Sequence, residues 1–333
     1  MSMTQKSWEE LEQYQPRVKK LLSNSLIKQR LAHAYLFEGP KGTGKKQTSF
    51  LLAKSFFCEN RVSYQPCGSC RNCKRIDSGN HPDLHVVEPD GLSIKKGQIQ
   101  ALQEEFSKTG VESNHKLYII EHADKMTVNA ANSLLKFLEE PHADTVAVLL
   151  TEQHHQIIST ILSRCQVLSF QPLPPEAIQN ELAKQNIPVH ISALAAHITN
   201  DMEEALELSR NDWFAQARAK VIKLYEVLKS RKGQALLFIQ SEWLPVFTDK
   251  DQQGLGLDLL MYIYRDCLSV QVGHENKVIY QDLMAQLKQH ALQMTQKNAA
   301  EKITSIIEAK KRLHSNVNPQ LLMEQLVLTL QEG

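Results

Sequence analysis

Hydrophobic and polar positions split this chain into two stretches of different pattern. Between about residues 30 and 171, short apolar runs alternate with segments of helical spacing. Ala34-Tyr35-Leu36-Phe37 reads as a buried strand, and Gln47 to Phe56 behind it has the spacing of a helix. His81–Glu88, Leu117–Glu121, Val146–Thr151 and Gln166–Phe170 are further runs of strand length. Leu117 to Glu121 is continuous in its hydrophobicity, as a parallel strand buried on both faces should be. A helix is predicted from about Lys96 to Lys108. Another runs from Thr127, a candidate cap, to a stop at Pro141, with Val128, Ala131, Leu134, Leu135 and Leu138 on one face. A short helix leads to Arg164, and residues 7–31 predict one or two more. Strands alternating with helices imply an α/β fold with a five-stranded parallel sheet covered on both faces.

At Gln171-Pro172-Leu173-Pro174-Pro175 the pattern changes, and three prolines in four positions predict a stiff linker at a domain boundary. From Glu176 onward no strand is evident, and helical segments fill residues 176–210 and 211–333. At about 150 residues per domain, 333 residues predict two or three domains. The expected division is 1–171, 172–210 and 211–333. The apolar stripes of the last part fit either a self-contained bundle or an oligomerisation surface.

The first strand opens into Glu38-Gly39-Pro40-Lys41-Gly42-Thr43-Gly44-Lys45-Lys46. Strand, Gly-rich loop and helix are the setting of a phosphate-binding loop. Gly39, Gly42 and Gly44 let backbone N–H groups converge on an anion at a helix N-terminus, and Lys45 would reach the β- and γ-phosphates. The next position should hold a Ser or Thr hydroxyl on Mg²⁺. Here it is Lys46, whose ammonium has no lone pair and repels a metal. The loop thus predicts the nucleotide-binding fold while arguing against turnover. Such loops work with a carboxylate motif at the end of another strand, typically Asp-Glu. The candidate here is Tyr118-Ile119-Ile120-Glu121-His122-Ala123-Asp124, in which Glu121-His122 stands where the acidic pair belongs. Glu121 can still meet a metal, but His122 is a poor substitute for a carboxylate. The pair equally fits an ordinary polar strand end.

Cys58, Cys67, Cys70 and Cys73 crowd into one segment, whereas Cys165 and Cys267 stand alone. Four thiolates in the spacing C-x8-C-x2-C-x2-C suit tetrahedral structural Zn²⁺. An iron–sulfur cluster is a rival, although the ferredoxin run places its outlying Cys downstream before a Pro. A Cys-x-x-Cys redox pair is another, diluted by the overlap of two such pairs. With 38 basic and 37 acidic residues the net charge is +1, which gives no global attraction to nucleic acid or anionic membrane. Residues 1–10 do not read as a secretory signal, and no apolar run approaches the roughly 18 residues of a membrane span. A cytoplasmic protein is expected.

Several motifs occur together and in order. They are His33-Ala34-Tyr35-Leu36-Phe37, the four-cysteine insert at 58–73, Asn80-His81-Pro82-Asp83, Ala130 to Pro141, and Ser163-Arg164-Cys165. In this set the chain resembles the delta-prime family of bacterial DNA polymerase III subunits, in the clamp-loader branch of the AAA+ family. The resemblance implies an AAA+ P-loop domain over 1–171, a small helical lid over 172–210 and an all-α collar over 211–333. It also gives Arg164 a role as an arginine finger acting on the ATP site of a neighbouring subunit; from the triplet alone it would be a surface arginine. Family members that sense nucleotide carry an arginine in a Gly-Asp-Met-Arg-type stretch. Asn200-Asp201-Met202-Glu203 places Glu203 there, which would repel phosphate. Lys46, His122 and Glu203 all depart from the pattern in the direction of lost nucleotide chemistry.

What the resemblance implies is a stator with no ATPase of its own and no productive ATP binding. Its implied partners are tau/gamma and delta subunits, the sliding clamp and, through the assembled complex, primed DNA. Two alternatives make different predictions. An active motor of the tau/gamma type predicts Ser or Thr at 46 and a carboxylate at 122. A zinc-dependent nucleic-acid-binding protein predicts a basic face, which the net charge does not favour.

Overall fold

Five strands form the parallel sheet: β1 (Ala34–Glu38), β2 (Leu84–Val87), β3 (Lys116–Ile120), β4 (Thr145–Thr151) and β5 (Gln166–Ser169), in the order β2-β3-β4-β1-β5. Every pairing is parallel. The computed structural model describes residues 7–107, 115–139, 145–230, 233–313, 315 and 317–332. The chain divides into two compact units, Met1–Leu173 and Pro174–Gly333, the division falling inside the proline-rich stretch.

Among the described residues of the first unit, seven α-helices accompany the sheet. They are α1 (Trp8–Tyr14), α2 (Pro16–Ile27), α3 (Lys45–Phe57), α4 (Arg71–Asp77), α5 (Lys96–Ser107), α6 (Val128–Glu139) and α7 (Ser159–Leu162). Side chains alternate across a strand, so the central strands β1, β3 and β4 feed two cores. Tyr35, Phe37, Leu117, Ile119, Val146 and Val148 pack with Trp8, Leu11, Leu22 and Leu52 of α1, α2 and α3. Ala34, Leu36, Tyr118, Ile120, Ala147 and Leu149 pack with Ile99, Leu134, Leu138 and Ile161 of α5, α6 and α7. Burying each large apolar side chain contributes roughly 1.5–3 kcal/mol, which explains why the central strands are apolar on both faces.

Thr127 caps α6 as expected, its Oγ1 accepting from Ala130 N at 3.3 Å. The predicted stop of that helix at Pro141 lies outside the described residues. β2 is shorter than the apolar run suggests. His81-Pro82-Asp83 is a turn, in which Leu84 N donates to His81 O at 3.2 Å and Asp83 N to His81 Nδ1 at 3.3 Å.

The second unit is helical throughout its described residues, with no strand among them. Its helices are α8 (Pro175–Lys184), α9 (Val189–Ile198), α10 (Met202–Arg210), α11 (Asp212–Ser230), α12 (Gln234–Phe238), α13 (Lys250–Gln271), α14 (Met284–Gln293), α15 (Gln296–Leu313) and α16 (Pro319–Glu332). One apolar core runs from Ile191 to Leu330. Within it Gly256 of α13 allows a close approach, since a Cβ there would lie 2.7 Å from the Trp243 ring. Asp266 is fully buried and accepts from Ile279 N (2.9 Å) and Tyr280 N (2.8 Å), tying α13 to the segment before α14. Among the described residues no helix is long and apolar enough to cross a membrane.

Candidate functional site

The carboxyl ends of parallel strands are where α/β sheets bind ligands. Here β1 ends in the Gly-rich loop, while β2, β3 and β4 end beside Glu88, Glu121 and Thr151. Hydrogen bonds from Gly39 N to Thr151 O (3.2 Å) and from Glu121 N to Val87 O (2.9 Å) hold these ends level. Gly39, Gly42 and Gly44 have φ of 148°, 79° and 89°, the positive values that favour glycine. At Gly39 the space is also closed, since a Cβ would stand 2.4 Å from Phe170 O. The loop thus takes the left-handed turns that its glycines permit.

Its lysine is turned inward. Lys45 is buried and its Nζ donates to Gly39 O at 2.6 Å and Pro40 O at 2.7 Å, so the cation braces the loop from within. Burial lowers its pKa, opposed by the charges of Glu152 and Asp124.

Lys46, at the metal-ligand position of the pattern, reaches across the strand ends. Its Nζ lies 2.7 Å from Glu121 Oε1 and 3.0 Å from Glu88 Oε1. The contact to Glu121 is an ion pair without an aligned hydrogen bond on that buried oxygen. Burial works against the Lys46 charge, but the two carboxylates outweigh it and its pKa is raised. Burial raises the pKa of Glu121 despite the pull of Lys46, whereas the contact with Lys46 lowers that of Glu88. A Mg²⁺ ion does not fit this arrangement. Its hydroxyl ligand is missing, and an ammonium already neutralises the carboxylates it would use. His122 follows in the left-handed region at φ 50°. Asp124 Oδ1 accepts from Thr151 Oγ1 (2.7 Å) and Glu152 N (3.3 Å), so the polar end of β4 is fixed by a carboxylate.

Arg164 sits just past α7, half-buried. Its Nη1 donates to Thr160 O at 2.9 Å and its Nη2 to Glu139 Oε1 at 2.7 Å. Cys165 is packed against the α5–α6–α7 core, and burial pushes its thiol up to about 12, as suits a packed side chain rather than a ligand.

The four clustered cysteines converge. Their sulfurs lie within 4.8 Å of one another, and those of Cys58 and Cys70 are 4.0 Å apart. A tetrahedron with Zn–S bonds of about 2.3 Å has edges of about 3.8 Å, so the set fits a single dication. Backbone N–H groups are aimed at the sulfurs: Cys67 N at Cys58 Sγ (3.2 Å), Cys70 N at Cys67 Sγ (3.3 Å) and Cys73 N at Cys70 Sγ (3.5 Å). Donors from Ser69 and Cys70 bring the Cys67 thiol down to about 6, while burial raises those of Cys58 and Cys73. The insert is tied to α3 by the Lys54–Asp77 ion pair and by Asn72 Nδ2 donating to Phe57 O at 2.9 Å. A bound zinc would cross-link this excursion of chain and supply no open coordination position.

In the second unit Asp201 caps α10, accepting from Glu203 N (2.9 Å) and Glu204 N (3.2 Å). Glu203 lies in the first turn, where the helix dipole favours an acid.

Sequence reasoning named Lys46, Glu121 and Arg164 but not their partners Glu88 and Glu139, nor the Asp124–Thr151 contact. Glu88 carried a signal of the same kind as Glu121, a carboxylate directly after an apolar run. Glu139 carried none, because its contact with Arg164 joins positions 25 residues apart.

A profile described as "DNA polymerase III, delta subunit" matches residues 14–174, and one described as "DNA polymerase III, delta subunit, C terminal" matches residues 223–332. Over 327 residues the chain is 65% identical to the DNA polymerase III subunit delta' of Bacillus subtilis (strain 168), covering 98% of this chain and 99% of that one. The chain belongs to the DNA polymerase III delta' family. Other relatives match about half of the chain. The DNA polymerase III subunit tau of Bacillus subtilis is 35% identical over 171 residues, 51% of this chain and 30% of that one. The subunit delta' of Pseudomonas aeruginosa is 38% identical over 159 residues, 47% of this chain and 48% of that one. Family membership places the chain in DNA replication.

Proposed function

We propose that this delta' chain is a non-hydrolysing, stator-like subunit of the clamp loader. It supplies Arg164 in trans to the ATP site of a neighbouring tau/gamma subunit and helps place the sliding clamp on primed DNA. The observation that carries the non-hydrolysing reading is the Lys46 ammonium between Glu121 and Glu88. A fixed monovalent cation meets the carboxylates' need for positive charge but cannot bridge phosphate oxygens or organise water as Mg²⁺ does. Lys45, bonded to carbonyls of its own loop, supports the same reading.

The finger reading is supported by a guanidinium that is anchored to backbone at one nitrogen and remains partly open to solvent. Stabilising charge on a transferring phosphoryl group across an interface is the chemistry such a group supplies. In this reading residues 172–210 form the lid and residues 211–333 a collar that joins the delta and tau/gamma subunits. Cys58, Cys67, Cys70 and Cys73 hold a structural zinc.

Steady-state ATP hydrolysis by the purified chain, with and without primed DNA, tests the first part. No turnover is expected. Turnover abolished by Lys45→Ala would replace the stator with a motor. In the reconstituted loader, Arg164→Ala should lower ATP-driven loading while leaving assembly intact, and unchanged loading would remove the finger role.

A further inference from the structure

Arg164 does not stand alone at the end of α7. Its Nη2 donates to Glu139 Oε1 at 2.7 Å, and Glu139 is the last residue of α6, on a different element from the arginine. The Glu139 side chain is 49% exposed and that of Arg164 is 33% exposed. The pair is therefore wet, and neither group needs the other to be tolerated by the fold. Nη1 is held separately by Thr160 O at 2.9 Å and lies 3.4 Å from Ser163 Oγ, both within the arginine's own turn. One nitrogen is thus anchored locally, and the other is engaged by a carboxylate that anchoring does not require.

We infer that Glu139 is a positioning residue that parks Arg164 in the chain and competes with phosphate for it. This rests on the finger reading proposed above. A guanidinium is always charged, so it attracts whichever anion lies within reach. In the isolated chain that partner is Glu139. When a neighbouring subunit presents the terminal phosphate of a nucleotide, the phosphate offers more negative charge and bidentate geometry. The carboxylate must then give way, since two anions on one guanidinium repel each other. An exposed ion pair is weak, so the park is one that phosphate overcomes, at the expense of a fraction of its affinity. Glu139 therefore sets the ATP concentration at which the interface engages and leaves the chemical step unchanged.

The test is ATP hydrolysis by the reconstituted loader as a function of ATP concentration. The delta' chain carries Glu139→Gln, Glu139→Asp, Arg164→Ala or Glu139→Gln with Arg164→Ala. Glu139→Gln keeps shape and removes charge; it should lower KM for ATP about two- to five-fold, the size an exposed pair carries, with kcat unchanged. Glu139→Asp should restore the wild-type KM. With alanine at 164 the Glu139→Gln effect should vanish. Competition is overturned if Glu139→Gln leaves KM unaltered, lowers kcat, or acts equally without Arg164. If Arg164→Ala alone has no effect, the finger reading itself fails and takes this inference with it.

Discussion

Lys46 Nζ lies 2.7 Å from Glu121 Oε1, and that oxygen is buried with no aligned hydrogen bond. The lysine is consequently the main compensation for a carboxylate held out of water. Lys46→Met removes it and leaves Glu121 uncompensated. Because the lysine is itself 36% exposed, the loss should fall below that of a fully buried pair, at about 1–2 kcal/mol. Urea denaturation of the variant beside the wild type measures it. Lys46→Ser, which vacates the same space and adds a hydroxyl, should also make the melting temperature respond to Mg²⁺ or Mn²⁺ where the wild type does not.

The loss in Lys46→Met should depend on pH with a definite sign. Burial raises the pKa of Glu121 in the folded chain above its ordinary value. A carboxyl of this kind contributes stability below its unfolded pKa and loses it as pH rises through its folded pKa. Without Lys46 the folded value should climb further. The variant should therefore approach wild-type stability in acid and diverge from it as pH rises from about 4 towards neutrality. Parallel stability curves over that window would show that Glu121 does not feel the lysine.

Zinc analysis of chain purified without chelator should find about one ion per molecule and no iron–sulfur absorption. Cys70→Ser should lower zinc content and stability together, by several kcal/mol, since binding at a structural site is coupled to folding. Cys267→Ser, outside the cluster, should leave zinc content unchanged.

Gly39→Ala should be costly at the phosphate loop. The new Cβ would stand 2.4 Å from Phe170 O at a φ of 148°, so strain and collision add. A loss of about 2–4 kcal/mol is expected by chemical denaturation. Gly91→Ala is a control for conformation alone: its φ is 70° and nothing lies within 4 Å of the new atom. It should cost less.

The sheet was legible in the sequence because burial on both faces leaves its strands almost wholly apolar. Ala34 to Phe37, Leu117 to Ile120 and Val146 to Leu150 could hardly be anything else in a chain with helical spacing between them. The cysteine cluster was legible for a related reason. Its ligands are close in the chain, so spacing alone carries the geometry. The thirteen-residue α3 was legible behind its glycines. The trim of β2 was not, since a turn at His81-Pro82-Asp83 is made by hydrogen bonds between neighbours that an apolar run does not reveal.

The sequence by itself determined which chemical groups are present at each strand end, including the replacement of a metal-ligating hydroxyl by Lys46. It also determined that Arg164 follows the last helix before β5. Only the tertiary structure decided what those charges do. Lys46 meets Glu88, 42 residues away, and Arg164 meets Glu139, 25 residues away, because separate elements bring their ends together. Ion pairing is governed by distance in space and by burial, and neither is a function of position along the chain.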